Sequence, residues 1–245
     1  MKKLNFIIKY GLALLLLSFY SCESWLNVTP SDRLSEEMLF NDREGFVKAL
    51  NGVYIELNTN ELYGRNLTAG ALDVMGQYYS VASSSHAFYN YGGLVYTGND
   101  EKALFDNMWQ KCYAVIACCN TIIEKCDENK AGLSPVWKGS IKGEALALRA
   151  MLHFDMLRLF GPLTSELDKE SIPYQTNSDQ TVTPLLSGSE VIGLILDDLK
   201  NAVGLLKDTD PYFVEEEFSD TDLNYRRFRM NYFAAKGLMA RVQLW

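Results

Sequence analysis

GEALALRAMLHFDMLRLFGP, residues 143–162, decides how this chain folds. Ala145, Leu148, Leu152 and Leu159 recur at helical spacing, so the segment predicts a helix from about Val136 to Phe160. Gly161-Pro162 stops it, because proline cannot continue the hydrogen-bond ladder. Glu144, Arg149, Asp155 and Arg158 are charges within this apolar helix. Glu144 and Arg149 are expected to bond to neighbouring helices, and Asp155 with Arg158, three apart, to pair on the surface.

Working outward, residues 127–137 read as a turn with Gly132 and Pro135. Before it, Trp109, Tyr113, Ile116, Asn120 and Ile123 form one stripe, and Cys112, Val115, Cys119, Ile122 and Cys126 form the next. A helix apolar over so wide an arc is packed on more than one side. Asn41 or Asp42 can cap a first helix whose face is Phe46, Leu50, Val53 and Leu57. After Pro162, residues 163–187 are polar and predict a loop. Ile192, Ile195, Leu199, Ala202 and Leu206 mark another helix, with Asp197, Asp198 and Lys200 expected on its wet side. A loop over 207–227 leads to a last helix rich in small residues, Ala234, Ala235, Gly237 and Ala240. It ends at Leu244-Trp245 with no polar cap, which predicts a chain truncated at its C-terminus, its partner helix missing downstream. Five helices joined by long loops make the chain all-α, and antiparallel pairs side by side suggest a helical-repeat scaffold, without a clean 34-residue self-match.

Lys2, Lys3 and Lys9 precede an apolar run, Gly11 to Tyr20, of signal-peptide length and too short to span a membrane. Ser21 before Cys22 resembles a lipoprotein cleavage site, the alternative being an ordinary secretory signal near a cysteine. The expected organisation is a signal peptide over 1–21, a mixed, extended tether or docking segment over 22–40, and a helical domain over 41–245. Lipid at Cys22 would anchor the chain to a membrane; several acyl chains hold far better than one. Hydrophobic residues make up 48% of the chain, enough for a substantial core. The net charge is −8, and removing the three signal lysines makes the remainder more acidic still. That argues against nucleic acid, which needs clustered positive charge. Cys112, Cys119 and Cys126 are seven apart on one helix, so neighbours sit about 10 Å apart, too far for a disulfide. They read as buried core thiols.

Six segments, in order, resemble the SusD/RagB family of outer-membrane nutrient-binding lipoproteins. They are Cys22 with Trp25-Leu26-Asn27-Val28-Thr29-Pro30; FVKALNGVYIEL (46–57); Trp109, Tyr113, Ile116 and Asn120; GEALALRAMLHFDMLRLFGP (143–162); Val191 to Ala202; and AAKGLMARVQLW (234–245). The resemblance implies a tetratricopeptide-like scaffold on the outer membrane, facing the cell exterior. It implies as partner a SusC-like TonB-dependent transporter, and as ligand an oligosaccharide or peptide. Family members are typically about twice this long, so the chain is expected to be their N-terminal part.

Residues 59–100 lose helical rhythm and hold six of the chain's 14 tyrosines. Sugar rings pack their C–H faces on aromatic faces, and Asp or Asn beside them can bond hydroxyls. Tyr78, Tyr79, Tyr89 and Tyr91, with Asp73 and Asn90, supply that chemistry. The competing expectation is that these tyrosines pack on the helices or on the transporter. Of the two histidines, His153 reads as packed within its helix and His86 as exposed or ligand-touching. No nucleophile elbow, phosphate loop or histidine-pair metal motif is present, so neither an enzyme nor a cofactor is expected. A protein-only adaptor is the alternative function, and a surface glycosidase is third.

Overall fold

The computed structural model describes residues 36–179, 181–214, 218–219 and 225–245. The signal segment, Cys22 and most of the 22–40 tether lie outside the described residues. Glu36–Leu39 is one helical turn, where the sequence predicts extended chain, and belongs to a separate compact unit from Phe40–Trp245.

The larger unit is built from five long helices: α1 (Arg43–Leu57), α2 (Asn99–Glu128), α3 (Pro135–Phe160), α4 (Gly188–Thr209) and α5 (Tyr232–Leu244). Side-chain caps start four of them. Asp42 accepts from Gly45 N–H, Ser134 from Trp137 N–H and Asn231 from Ala234 N–H; Ser187 and Glu190 form a reciprocal capping box. No helix among the described residues is long and apolar enough to cross a membrane.

Helix α3 is central, packing most extensively on α4, then on α2, and touching α1 and α5. It is buried around most of its circumference from Trp137 to Leu157. Close approach to α4 depends on glycine: a Cβ at Gly143 would lie 2.8 Å from Leu206 Cγ, and one at Gly139 2.6 Å from Thr209 Cγ2. The small residue Gly237 of α5 has no such neighbour within 4 Å. Cys112, Cys119 and Cys126 of α2 are free, buried thiols in the same core, and burial raises the pKa of each.

Two findings correct the sequence reading. Residues 163–187 are not all loop: β1 (Glu170–Pro173) pairs antiparallel with β2 (Leu185–Ser187), Glu170 opposite Ser187. Strands of four and three residues are too short to show alternation. Asp198 is not on the wet side of α4; it is buried and faces α3. It lies three residues after Ile195 and four before Ala202, so the helical period puts it on their face.

Arg149 of α3 meets Asp198 through a two-pronged contact, Nε to Oδ2 and Nη2 to Oδ1, both 2.7 Å. Its Nη1 donates to Asn120 Oδ1 of α2 at 2.8 Å. Tyr174 donates to Asp198 Oδ2 at 2.6 Å, and its ring stacks on His153 with centroids 3.9 Å apart. His153 Nε2 accepts from Gln175 N–H, which leaves Nδ1 to donate to Arg149 O, each at 3.0 Å. Asp155 and Arg158 do pair, at 3.3 Å.

Two outcomes follow. Arg149→Met leaves Asp198 as an unpaired buried charge and costs about 3–5 kcal/mol in urea unfolding, whereas adding Asp198→Leu recovers part of the loss. Burial pushes the His153 pKa down from 6.5 to about 3. Below pH 6.5 the unfolded chain takes a proton that the fold refuses, so stability falls as pH drops from 6.5 toward 3, by about 1.4 kcal/mol per unit. Unfolding between pH 7 and 5 should show a shallower slope in His153→Gln.

Candidate functional site

Residues 59–98 wind across one side of the helices as a chain of turns. The two short helices Ala71–Met75 and Tyr89–Gly92 lie where the sequence reads as irregular. Leu62, Leu67, Ala71 and Val74 are buried and anchor the segment. Tyr63 donates to Asp155 Oδ2 of α3 at 2.7 Å. Gly64 is needed for its tight turn, because a Cβ there would lie 2.3 Å from Asn58 O.

The six candidate residues separate in this frame. Tyr78 is 80% exposed, Tyr79 56% and Tyr89 42%. Tyr91 is only 2% exposed, which corrects its assignment to a ligand surface. Its ring packs edge-on against Phe88 and against Phe105 of α2, with centroids 5.8 and 5.9 Å away. Burial, with Glu101 and Asp100 adding to it, pushes the Tyr91 phenol up to about 12. Phe105 meets Phe160 of α3, so this aromatic cluster fastens the segment to both central helices. Asn90 gives its amide to Glu101 Oε1 at 2.8 Å, and Asp73 is half-buried in the Ala71–Met75 turn.

Sequence reasoning misses Gln77. Its φ of +61° ends the Ala71–Met75 helix and turns the chain into Tyr78-Tyr79. Its Nε2 donates to Gly92 O at 2.9 Å, tying the Tyr78-Tyr79 corner to the helix that starts at Tyr89. A glutamine in the left-handed region carries no composition signal, unlike glycine or asparagine.

Beside this corner is an open groove of about 530 Å³, lined by Tyr79, Val81, Ser83, His86 and Phe88 among others. His86 Nδ1 accepts from Phe88 N–H at 3.1 Å. Tyr79 is the single candidate residue in that lining.

Another cleft, of about 440 Å³, lies between α1 and α3, with Leu50, Tyr54, Trp137 and Glu144 in its wall. Its charged floor is internally satisfied, whereas the buried Trp137 Nε1 in its wall has no hydrogen-bond partner among the described residues. Glu144 accepts from Tyr54 OH, Arg226 Nη1 and, at 2.8 Å, Arg229 Nε; Arg226 also grips Asp210 at 2.6 and 3.1 Å. Burial favours the neutral acid, but the two arginines prevail and hold the Glu144 pKa below its ordinary value. The arrangement fits helix-to-helix pairing rather than proton transfer. Among the described residues, no group of three or more His, Cys, Asp or Glu side chains could hold a metal ion.

A buried polar frame with exposed tyrosines on its turns makes a largely helical scaffold. The SusD-like family model, described as starch-binding and associating with the outer membrane, matches residues 24–244. The chain belongs to the SusD-like family. It is 27% identical over 199 residues to the SusD-like protein P38 of Formosa agariphila, covering 74% of this chain and 34% of that protein. It is 30% identical over 146 residues to a SusD-like protein of Bacteroides ovatus, covering 58% and 23%. The chain thus spans about a third or less of the length of these curated relatives. A SusD-like carbohydrate binding protein from Bacteroides vulgatus superposes with a TM-score of 0.64 at 23% identity, over 82% of this chain and 41% of that one. A SusD homolog from Bacteroides thetaiotaomicron gives 0.57 at 19%, over 85% and 38%. These likenesses show the fold, a tetratricopeptide-like helical one.

Gln77→Ala should free the tyrosine corner without unfolding the scaffold. Amide exchange of Tyr78 and Val95 is expected to rise about fivefold, while the global unfolding free energy moves by less than about 1 kcal/mol.

Proposed function

We propose that this chain is the glycan-binding part of an outer-membrane uptake system, and that its ligand surface is the tyrosine corner at 78–89. One observation carries the reading: in a chain of a starch-binding family, Tyr78, Tyr79 and Tyr89 are held exposed on a segment bolted to the helices. Apolar rings cost free energy in water, and a sugar's C–H face offsets that cost. Asp73 and Asn90 sit on the same turns as hydroxyl partners.

The wider assignments belong to the same proposal. Residues 1–21 act as the export signal, Cys22 takes the lipid, and 22–40 tethers the 41–245 domain at the cell exterior. A SusC-like TonB-dependent transporter receives the captured oligosaccharide. The chain binds and does not catalyse: the buried carboxylates Glu144 and Asp198 are each committed to arginine.

Titration calorimetry with starch oligosaccharides tests the binding. Tyr79→Ala should weaken affinity about tenfold, and Tyr78→Ala with Tyr79→Ala more, with thermal unfolding unchanged. Unchanged affinity in the double variant rules out the corner. Transporter capture by a chain that binds no glycan favours the protein-only adaptor.

A further inference from the structure

The groove beside Tyr79 has a chemistry of its own. Its lining consists of aromatic, aliphatic and serine side chains with one histidine, and holds no Asp, Glu, Lys or Arg. Arg65 lies over the Phe88 ring at 5.8 Å but is not among the lining residues, and its Nε is given to Asn66 Oδ1. The chain as a whole is acidic, with net charge −8. A carboxylate or sulfate in this groove finds no lysine or arginine among the lining residues to replace the water it gives up, which is costly for a charge and cheap for a hydroxyl.

His86 adds a direction. Its Nδ1 accepts the Phe88 backbone N–H at 3.1 Å, so in the neutral ring the hydrogen is on Nε2. That Nε2–H has no partner among the described residues, while the ring lines the groove. The Phe88 bond and the neighbouring Phe88 ring, with centroids 5.7 Å apart, fix its orientation. Ser83 and Ser85 share a hydroxyl contact of 2.8 Å at the same rim.

We infer that the groove lined by Tyr79, Ser83, His86 and Phe88 selects uncharged over acidic sugars, with His86 Nε2–H as an oriented donor to a sugar oxygen. The inference rests on glycan binding at the tyrosine corner and adds the ligand's charge class and a specificity-determining residue.

Calorimetric titration of the full chain with two pairs of hexasaccharides tests it: mannohexaose against hexamannuronate, which differ only at C6, and maltohexaose against hexagalacturonate, which differ at C4 as well. At least one neutral sugar should bind about tenfold or more tighter than its acidic counterpart. His86→Phe, which keeps a ring and removes the donor, should weaken neutral binding about fivefold, and His86→Gln should restore part of it. Ser83→Lys, which puts a cation on the wall, should narrow the neutral-to-acidic gap at least fivefold. Equal or tighter binding of the acidic sugars overturns the inference while leaving glycan binding intact. Full affinity in His86→Phe overturns the donor role. No binding of any of the four overturns both readings.

Discussion

The fork between Arg149 and Asp198 is the contact on which the helical frame turns. Two parallel hydrogen bonds of 2.7 Å join α3 to α4, a third joins α3 to α2, and Tyr174 closes the fourth side. A buried ion pair contributes little net stability over a hydrophobic substitute, because both charges lose water. Its directional requirement is the larger effect. Helices with apolar faces can slide and rotate against each other; a planar guanidinium meeting a carboxylate edge-on permits one register. His153 stacks on Tyr174 and bonds the next residue's backbone, extending the same constraint to the chain leading out of β1.

The second polar cluster applies the same physics five residues earlier on α3, around Glu144. Glu144 gathers Tyr54 from α1 and two arginines from the segment before α5, while Asp210 at the end of α4 holds Arg226 and the Tyr232 N–H. Elements far apart in sequence are fixed to one helix by charges that would be costly to leave unpaired. Along α4, between Asp198 and Asp210, Leu206 and Thr209 meet Gly143 and Gly139, whose missing side chains let the two helices come close enough for dispersion contacts to act. A frame pinned by two polar clusters can carry irregular turns without deforming, as a binding surface on loops requires.

The aromatic segment divides its rings accordingly. Tyr91 faces inward and, packed on Phe88 and Phe105, fixes the segment; Tyr78, Tyr79 and Tyr89 face outward. The division is made by backbone conformation, most visibly at Gln77, where a positive φ redirects the chain between a buried helical turn and two exposed rings.

The five long helices were legible in the sequence, because each carries its own apolar face. The sequence determined the family too, since six short segments in order retain their side chains. It even contained the inward direction of Asp198, whose spacing from Ile195 and Ala202 matches the buried face, although its charge suggested solvent. Pairing and exposure were settled by contacts between elements distant in the chain. Glu144 could have met any of many basic residues, and its partners lie 82 and 85 positions away. Six tyrosines in a rhythm-free stretch look alike in one dimension. Which ones pack on Phe105 and which meet water is set by distant helices and by left-handed turns at Gln77 and Leu94, and neither leaves a local pattern to read.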